Sequence, residues 1–399
     1  MAVRGVYSEI EKKILEDWNR EADTRVGWCK PRMDMPVFMR SDPYIAAEAL
    51  TRFAAETDPW NPFWNIPAYA AATRWGSIIA HPFFLDRFQA PTSMVKTHRG
   101  LFLTFYYIGY DYEYFQPLKP GDVIRAWSYR PTLEDSTDLS GKGPRKFRYV
   151  DGHADMINQR NELVASYRLF CEVHLHEGRP PQEKYIEDYG YTLKELEYLK
   201  QLYDNEKSQG EAIHYWDDVK EGDDLPAITT GVTKYTGWGM LGDPPSPPGQ
   251  VARRTMPKYE EQWSMPNNYF HDRDTGLIYP TLGGRHFNDK AAQFEGGPRA
   301  WHFNTVPRLH LMRVVTNWMG DDAFVRKFSW RHMWRTPIGD ALIINAKIAR
   351  KYEENGEHLV DIKSWCLDLR GTITDMAITT VKLLTKQEKY PPVKKVINC

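Results

Sequence analysis

Lys119-Pro120-Gly121-Asp122 and Thr336-Pro337-Ile338-Gly339-Asp340 each precede a strand-like stretch, a polar hairpin and a second short polar motif. That motif is Asn158-Gln159-Arg160-Asn161-Glu162 in the first passage and Asp368-Leu369-Arg370-Gly371-Thr372 in the second. An apolar strand follows in both. Two copies are too few for a solenoid, which needs three or more repeats. The repetition therefore predicts a duplicated domain whose two halves pack together.

The sequence around these motifs predicts helices first and strands afterwards in each half. Apolar residues recur at helical spacing in residues 7–20, 44–53 and 305–318, whereas strand patterns begin at Phe102 and Phe324. Long helices do not alternate with single strands, as they do in a doubly wound sheet. The predicted fold class is therefore α+β, with a curved antiparallel sheet in each half.

Breaks in the pattern divide the chain into two predicted domains and a connector. The first domain covers residues 1–180, because two consecutive prolines then stop any regular element. Thr192 and Glu195 have capping-box spacing and open a charged helix in a connector at 181–212. The second domain covers 213–399 and contains a Pro-, Asn- and Asp-rich insert at 243–280. Loops of that length are usually functional or disordered, and we hypothesise that this one covers a cavity.

The charge balance and the cysteines exclude several classes of function. The chain has 52 basic and 53 acidic residues and a net charge of −1, which gives no footprint for nucleic acid or an acidic membrane. No apolar run approaches bilayer length, and no signal-peptide pattern begins the chain. The four cysteines lack metal-ligand spacing, and no phosphate loop or dinucleotide fingerprint occurs. We predict a soluble cytoplasmic protein with no metal, no redox cofactor, and no nucleic-acid or membrane partner.

Aromatic residues are numerous: 14 Trp, 23 Tyr and 17 Phe. Large rings dominate cores and oligomer interfaces, so an aromatic-rich core is the simpler interpretation. The alternative is a wide cavity for an aromatic or polycyclic ligand.

A second pair of motifs precedes the repeated strands. Asp58-Pro59-Trp60-Asn61-Pro62-Phe63-Trp64 is followed 17 residues after Trp64 by His81, within Ala80-His81-Pro82. Arg285-His286-Phe287-Asn288-Asp289 is followed 16 residues after His286 by His302, within Trp301-His302-Phe303. The same local arrangement thus occurs in both halves.

In the order of its motifs the chain resembles the MaoC-like dehydratases, which use the hotdog fold in tandem. That family has a helix-opening Asp-x-Asn-Pro-x-His, then Ala-His-Gly, a Gly-Asp strand and an Asn-Gln-Arg-Gly-Glu strand. The resemblance spans about residues 40–175 and 215–385 and implies a double hotdog, in which each half has a long helix wrapped by its sheet. The matching residues are Asp58, Asn61, Pro62, Ala80-His81, Gly121-Asp122, Asn158-Gln159-Arg160, His286, Asn288, Ala291-Ala292, Gly320-Asp321-Asp322, Gly339-Asp340 and Arg370-Gly371.

The resemblance also implies a chemistry. In that family an Asp and a His activate one water for addition to an enoyl thioester, and backbone N–H groups at a helix N-terminus bind the thioester carbonyl. Preorganised donors of this kind stabilise an oxyanion in the transition state. The resemblance assigns catalysis to His286, Asp58 and Asn61, and the carbonyl-binding backbone to His81, Trp301 and His302. Substrate contacts are expected at Trp64, Asn288 and Arg285.

Neither half carries the complete Asp/His pair of that family. Trp64 stands at the His position of the first half, and Thr281 stands at the Asp position of the second. One interpretation is a composite site in which Asp274 or Asp289 supplies the carboxylate to His286. A second is that one half has become a scaffold, and a third is a chemistry other than simple hydration.

Each of these residues also has a structural interpretation. His286 at a helix start is suited to capping or packing, and Asp58 before Asn61-Pro62 is suited to a turn or an N-cap. We expect the imidazoles of His81 and His302 to be structural, with only their backbone amides in the site.

The leading functional hypothesis is a hydro-lyase, a hydratase or dehydratase that acts on a bulky enoyl-CoA, with aromatic acyl groups among the candidates. Coenzyme A would then be part of the substrate, and no separate cofactor is needed. One alternative is a hotdog acyl-CoA thioesterase, and another is a non-catalytic acyl-CoA-binding subunit of a larger complex. A homodimer is expected, because apolar aromatic surface is plentiful.

Overall fold

The computed structural model describes residues 2–24, 27–28, 44–88, 101–129, 131–232, 269–276, 278–280 and 285–388. Most of the insert expected at 243–280 lies outside these residues, as does Thr281. The end of the insert forms a hairpin of two three-residue strands.

Fourteen strands form in this part of the chain. They are β1 (Gly27–Trp28), β2 (Leu101–Tyr114), β3 (Arg125–Tyr129), β4 (Thr132–Asp135), β5 (Arg145–Val150), β6 (His153–Ile157), β7 (Leu163–Glu177), β8 (Asp224–Val232), β9 (Tyr269–His271), β10 (Ile278–Pro280), β11 (Phe324–His332), β12 (Ala341–Glu354), β13 (Glu357–Asp368) and β14 (Ile373–Lys382).

The helices lie mainly ahead of each group of strands. The α-helices are α1 (Glu9–Thr24), α2 (Ala47–Thr57), α3 (Pro62–Asn65), α4 (Pro67–Ala71), α5 (Leu193–Asp204), α6 (Asp289–Phe294) and α7 (Thr305–Met319), and the 3-10 helices are Pro82–Phe88 and Trp216–Asp218. The predicted helices at 7–20, 44–53 and 305–318 are confirmed as α1, α2 and α7, within a few residues at each end. The capping box of α5 is also confirmed, since Thr192 and Glu195 each bond the backbone of the other.

One 12-stranded antiparallel sheet runs through both halves. Its strand order is β1-β3-β6-β7-β2-β11-β14-β13-β12-β8, with β5 also pairing with β7 and β4 with β5. The halves meet where β2 pairs with β11, in a register that places Tyr110 opposite Trp330 and Gly109 opposite Arg331. The two halves therefore share backbone hydrogen bonds as well as side-chain packing.

Helix α7 lies in the core of the second half. Leu311, Met312, Val314 and Val315 are all at most 1% exposed, and its polar residues are buried as well. A helix buried on all sides belongs to a protein interior, and α7 packs against β8, β12, β13 and β14. In the first half the position after His81 is taken by the 3-10 helix, with Phe83, Phe84 and Leu85 buried. The long helix expected in each half is thus present in the second half as α7. At the corresponding place the first half has the 3-10 helix Pro82–Phe88, and residues 89–100 lie outside the described residues.

The repeated motifs pair with each other in the same way in both halves. Arg160 contacts Asp122 at 3.2 Å in the first half, and Arg370 contacts Asp340 at 2.9 Å in the second. The turn that carries each arginine is held by one side chain: in the second half, Asp368 accepts from the backbone N–H groups two and four residues later. The Gly-Asp motif and the arginine motif of each half thus form an ion pair with each other. The helices and the antiparallel sheet confirm the predicted α+β architecture.

No helix among the described residues is both long and apolar enough to span a membrane.

Candidate active site

His286 lies in the turn before α6 and is 7% exposed. Its Nδ1 lies 2.8 Å from the carbonyl oxygen of Trp301, which only accepts, so Nδ1 carries the proton and Nε2 presents a lone pair. The ring stacks on Phe303 with a centroid distance of 3.7 Å and meets the Trp301 ring edge-on at 5.6 Å. His286 is therefore held in one orientation and one tautomer.

Arg285 joins His286 to a buried carboxyl group. Its Nε lies 3.4 Å from Nε2 of His286, and its Nη1 donates to Oε2 of Glu295 at 3.2 Å. Burial, and then the charge of Arg285, hold the pKa of His286 well below its usual value. The imidazole is therefore neutral, with an unprotonated Nε2.

Glu295 was missed by the sequence analysis. It is 2% exposed, and burial raises its pKa to about 8 although Arg285 opposes that shift. Its second oxygen, Oε1, has no hydrogen-bond partner among the described residues. The one signal in the sequence was an acidic residue directly before Gly296-Gly297, at the end of a helix with a small-residue face.

The two carboxylates proposed to complete the His286 pair are used elsewhere. Asp289 accepts from the backbone N–H of Ala300 at 2.9 Å and from Tyr185 at 3.2 Å. Asp274 lies on the surface, in an ion pair with Lys290. Neither carboxylate hydrogen-bonds to His286 in the described part of the chain, so the structure does not form the composite pair expected from the sequence.

Asn288, expected to contact substrate, is the N-cap of α6. Its Oδ1 accepts from the N–H of Ala291 at 2.9 Å, and its Nδ2 donates to Asp272 at 3.1 Å. Both ends of the amide are thus used to begin the helix, which is the structural role that polar residues at helix starts commonly have.

The backbone donors expected to bind a carbonyl are occupied in the second half. The N–H of Trp301 donates to Arg285 O at 3.3 Å, and that of His302 donates to Thr336 O at 2.9 Å. The reason is that this segment pairs with the chain after β11, through a bridge between Trp301 and Pro337. The amides of Trp301 and His302, expected to bind a carbonyl, are thus bonded within the protein in this structure.

The imidazole of His302 is buried, as expected of a structural residue, and burial lowers its pKa to about 4. At His81 the following residue is Pro82, which has no N–H to offer.

The corresponding residues of the first half form a closed cluster. Asp58 is 1% exposed, and burial raises its pKa to about 7 although Arg313 and the side chains of Asn61 and Trp64 lower it. Asn61 also accepts from the N–H of Phe63 at 3.1 Å and caps α3. The rings of Trp64 and His81 meet edge-on at 5.2 Å. Asp58, Asn61, Trp64 and His81 are thus brought together, but away from solvent.

Helix α7 of the other half covers this cluster. His81 accepts at Nδ1 from the N–H of Phe83, so its Nε2 carries the proton and faces Thr316 Oγ1 at 3.5 Å. Burial, and then Arg313, lower the His81 pKa to about 3. Arg313 pairs with Glu206 of the connector at 2.6 Å, and Asn317 donates to the same carboxylate at 2.7 Å. This burial favours the interpretation of the first half as a scaffold.

Among the residues that the structure describes, no group of three His, Cys, Asp or Glu side chains is placed to hold a metal ion. Cys171 and Cys366 are free and buried.

Residues 37–167 match the family model described as FAS1-like, dehydratase domain region. No curated protein matches the sequence.

Among solved structures, a MaoC-like dehydratase aligns with a TM-score of 0.56 and 14% identity, over 92% of this chain and 100% of that one. A putative MaoC domain protein dehydratase from Chloroflexus aurantiacus J-10-fl aligns with a TM-score of 0.48 and 11% identity, over 86% and 92%. A conserved hypothetical protein from Mycobacterium tuberculosis with a double hotdog fold aligns with a TM-score of 0.45 and 9% identity, over 85% and 92%.

At 14% identity, the likeness to the structure with a TM-score of 0.56 is evidence for the fold alone. The family match covers motifs of the first half, and the fold agrees with helix-then-sheet halves in both parts of the chain. The resemblance to MaoC-like dehydratases is thereby confirmed, in a chain whose fold is a double hotdog.

Proposed function

We propose that this protein is a hydratase or dehydratase that adds or removes water across the α,β-double bond of a bulky enoyl-CoA. The observation that carries the proposal is the state of His286. Its Nδ1–H is fixed on the Trp301 carbonyl, which leaves Nε2 as a proton acceptor beside the guanidinium of Arg285.

Arg285 is suited to bind the thioester carbonyl oxygen, because the backbone amides that were expected to bind it are occupied. Hydration develops negative charge on the thioester oxygen, and a fixed cation within a buried site stabilises such charge. The guanidinium is held by Glu295 at 3.2 Å. Its 3.4 Å contact with Nε2 is longer than an ordinary hydrogen bond, so a water or a carbonyl oxygen can take its place. Arg285 would then bind the carbonyl, and His286 would take the proton of the water.

The surroundings of His286 favour an acyl group with large apolar surface. Phe303 stacks on the imidazole, and Phe287, which is 39% exposed, lies 6.0 Å from Phe303 between ring centroids. Trp301 is covered by the guanidinium of Arg335 at 5.0 Å. Aromatic faces of this kind suit a phenyl or polycyclic acyl chain.

The proposal includes the cellular compartment and the assembly of the enzyme. Free buried thiols at Cys171 and Cys366 fit a reducing compartment such as the cytoplasm. A homodimer of the double hotdog is proposed as the assembly, with coenzyme A as the carrier of the substrate and no further cofactor.

A second candidate function is a non-catalytic acyl-CoA-binding subunit. The observation in its favour is that Nε2 of His286 faces Arg285 and that the ring is 7% exposed. In that case the site would bind the thioester and leave the chemistry to another chain.

The test follows enoyl absorbance and free thiol together, with crotonyl-CoA, cinnamoyl-CoA and a polycyclic enoyl-CoA. The variant is His286→Gln. The matched control is His153→Gln, because His153 also bonds a backbone carbonyl through Nδ1, at 2.9 Å, and stacks on Tyr129 at 4.0 Å.

Loss of absorbance without thiol release, abolished in His286→Gln and kept in His153→Gln, would support the hydratase. Thiol release would instead indicate a thioesterase. Binding of the enoyl-CoA without either signal would indicate the binding subunit.

A further inference from the structure

A second histidine with a fixed orientation lies at the end of β11. Nδ1 of His332 lies 2.8 Å from Oδ1 of Asp375, its register partner on β14. Asp375 is fully buried, and the same oxygen accepts from Nε1 of Trp330 at 3.1 Å. The His332 side chain is 21% exposed. A carboxylate so placed fixes the tautomer of an imidazole and stabilises the imidazolium that forms in proton transfer.

The pair lies beside the first turn of the central helix α7. Trp330, the other donor to Asp375, lies under the guanidinium of Arg308 at 5.3 Å. Cys366, the register neighbour of Asp375 on β13, has its Sγ 4.0 Å from the carbonyl oxygen of Pro307. Phe303, on which His286 stacks, lies two residues before α7 begins. His286 and His332 thus approach the same end of the helix from different elements.

Side-chain contacts also connect the two histidines. Three residues after His332, Arg335 covers the ring of Trp301, and Trp301 meets the ring of His286. The chain after β11 therefore runs from the His332–Asp375 pair to the wall of the proposed active site.

The sheet face next to this pair carries polar atoms that lack partners. Oδ2 of Asp375, Oγ of Ser364 and Oγ1 of Thr379 are buried, and none has a hydrogen-bond partner among the described residues. Buried polar groups are nearly always bonded to protein or to an ordered water, so such a row indicates a place where water or a polar ligand group is bound.

We infer that His332, positioned by Asp375, is a second proton-transfer residue of the reaction. This inference rests on the proposed hydratase function. The second half lacks the Asp of the family's Asp/His pair, and the inference assigns the role of proton donor to His332. It places the donor on the sheet instead of on the hotdog helix.

Hydration then uses two proton transfers. The oxygen of water bonds to the β-carbon while its proton passes to Nε2 of His286, and the electrons of the double bond move to the thioester oxygen. His332 enters this step as the imidazolium, with Nδ1–H on the Asp375 carboxylate and a second proton on Nε2. The enolate then returns those electrons to a new bond between the α-carbon and the Nε2 proton, which leaves His332 as the neutral imidazole. Exchange with solvent restores both histidines. In dehydration every movement is reversed.

The test uses the full-length protein and separates the two proton transfers. Hydration of crotonyl-CoA and cinnamoyl-CoA is followed by absorbance, and exchange of the α-proton of 3-hydroxybutyryl-CoA in D₂O is followed by mass spectrometry. The variants are His332→Gln, Asp375→Asn and His286→Gln. The matched control is His358→Gln, whose imidazole faces Glu353 at 3.8 Å, roughly 25 Å along the sheet from Asp375 by strand rise.

We expect His332→Gln to lower both hydration and α-proton exchange at least about 100-fold, the usual contribution of a general acid or base. Asp375→Asn should lower kcat at least about tenfold without raising KM, because it acts through the orientation of His332. His286→Gln should lose hydration and keep α-proton exchange, and His358→Gln should keep both.

Hydration by His332→Gln at the wild-type rate would overturn the inference and leave the proposed function standing. If the wild type hydrates neither thioester and exchanges no α-proton, the proposed function falls and the inference falls with it. Should His332→Gln lose its native circular dichroism, Asp375→Asn decides: a lowered kcat with unchanged KM and native circular dichroism keeps the inference, and a wild-type kcat overturns it.

Discussion

Arg308 of helix α7 forms a two-point ion pair with Asp86 of the first half, at 2.6 and 3.0 Å, inside the protein. Asp86 also accepts from the hydroxyl of Tyr112 at 2.6 Å, and Arg308 is 1% exposed. Removing one partner of a buried pair leaves the other charge uncompensated. We expect Asp86→Asn to lower the free energy of unfolding by about 3 to 5 kcal/mol in urea denaturation.

The control for this prediction is the exposed pair between Glu9 and Lys12, at 2.7 Å. Glu9→Gln should change the unfolding free energy by no more than about 0.5 kcal/mol, because solvent screens such pairs. Equal effects of the two variants would show that the Asp86 pair does not hold the halves together.

Asp58 should make the protein less stable as the pH rises. Burial raises its pKa in the folded state from 3.8 to about 7, so the folded state binds more protons than the unfolded state between these values. The contribution of the protonated group is complete below pH 4 and is lost as the pH rises to 7. From pH 4 to pH 8, we expect the unfolding free energy of Asp58→Asn to rise by about 2 to 4 kcal/mol relative to that of the wild type. A difference that is the same at both pH values would contradict the burial of an ionisable Asp58.

His81 should have the opposite pH dependence. Its pKa is lowered to about 3 in the folded state, so the unfolded state binds more protons between pH 3 and 6.5. The wild type therefore loses stability as the pH falls through that window. In His81→Gln this loss is removed, and the variant should gain about 3 kcal/mol relative to wild type from pH 7 to pH 4. Urea denaturation at several pH values measures the unfolding free energies of the two proteins. A difference between them that does not change with pH would contradict the prediction.

Gly109 is required where the two halves join. A Cβ at this position would lie 2.9 Å from the Trp330 carbonyl oxygen and 2.9 Å from Cδ of Arg331. We expect Gly109→Ala to destabilise the protein by about 1 to 3 kcal/mol, because the β2–β11 pair must move apart. Gly143 is the control, since a Cβ there meets nothing within 4 Å. If both alanine variants melt at the wild-type temperature, the join is looser than the structure indicates.

The parts of the fold that could be predicted are those set by short stretches of sequence. The Gly-Asp turns and the Asn-Gln-Arg and Leu-Arg-Gly turns recur because Asp122 pairs with Arg160 and Asp340 with Arg370 in the same local geometry. Helix α5 was found from its capping box for the same reason. The pairing of the two sheets is what the resemblance to tandem hotdogs implies. The register between β2 and β11 had no local signal, because it depends on packing between distant segments.

For the candidate site, the sequence singled out His286 and its neighbours in the motif. The backbone amides of Trp301 and His302 are occupied because that segment pairs with residues 336–338, which the spacing of the motif does not reveal. Asp375 reaches His332 across 43 residues of sequence through strand register alone. Glu295 directly follows α6 and Arg313 lies within α7, and both are charged residues in buried stretches. For Arg313 this exception to the apolar pattern was the signal available, as the position before Gly296-Gly297 was for Glu295.

The ion pair between Arg308 and Asp86 has a consequence for how such a molecule can change over generations. In a dimer of identical subunits every contact across the two-fold axis occurs twice, so each face must suit itself. In a single fused chain the two faces are encoded separately, and an arginine on one side can be matched by an acid on the other without the reciprocal pair. One half is then free to give up its chemistry and become a fixed wall, while the other accumulates new groups around an inherited histidine.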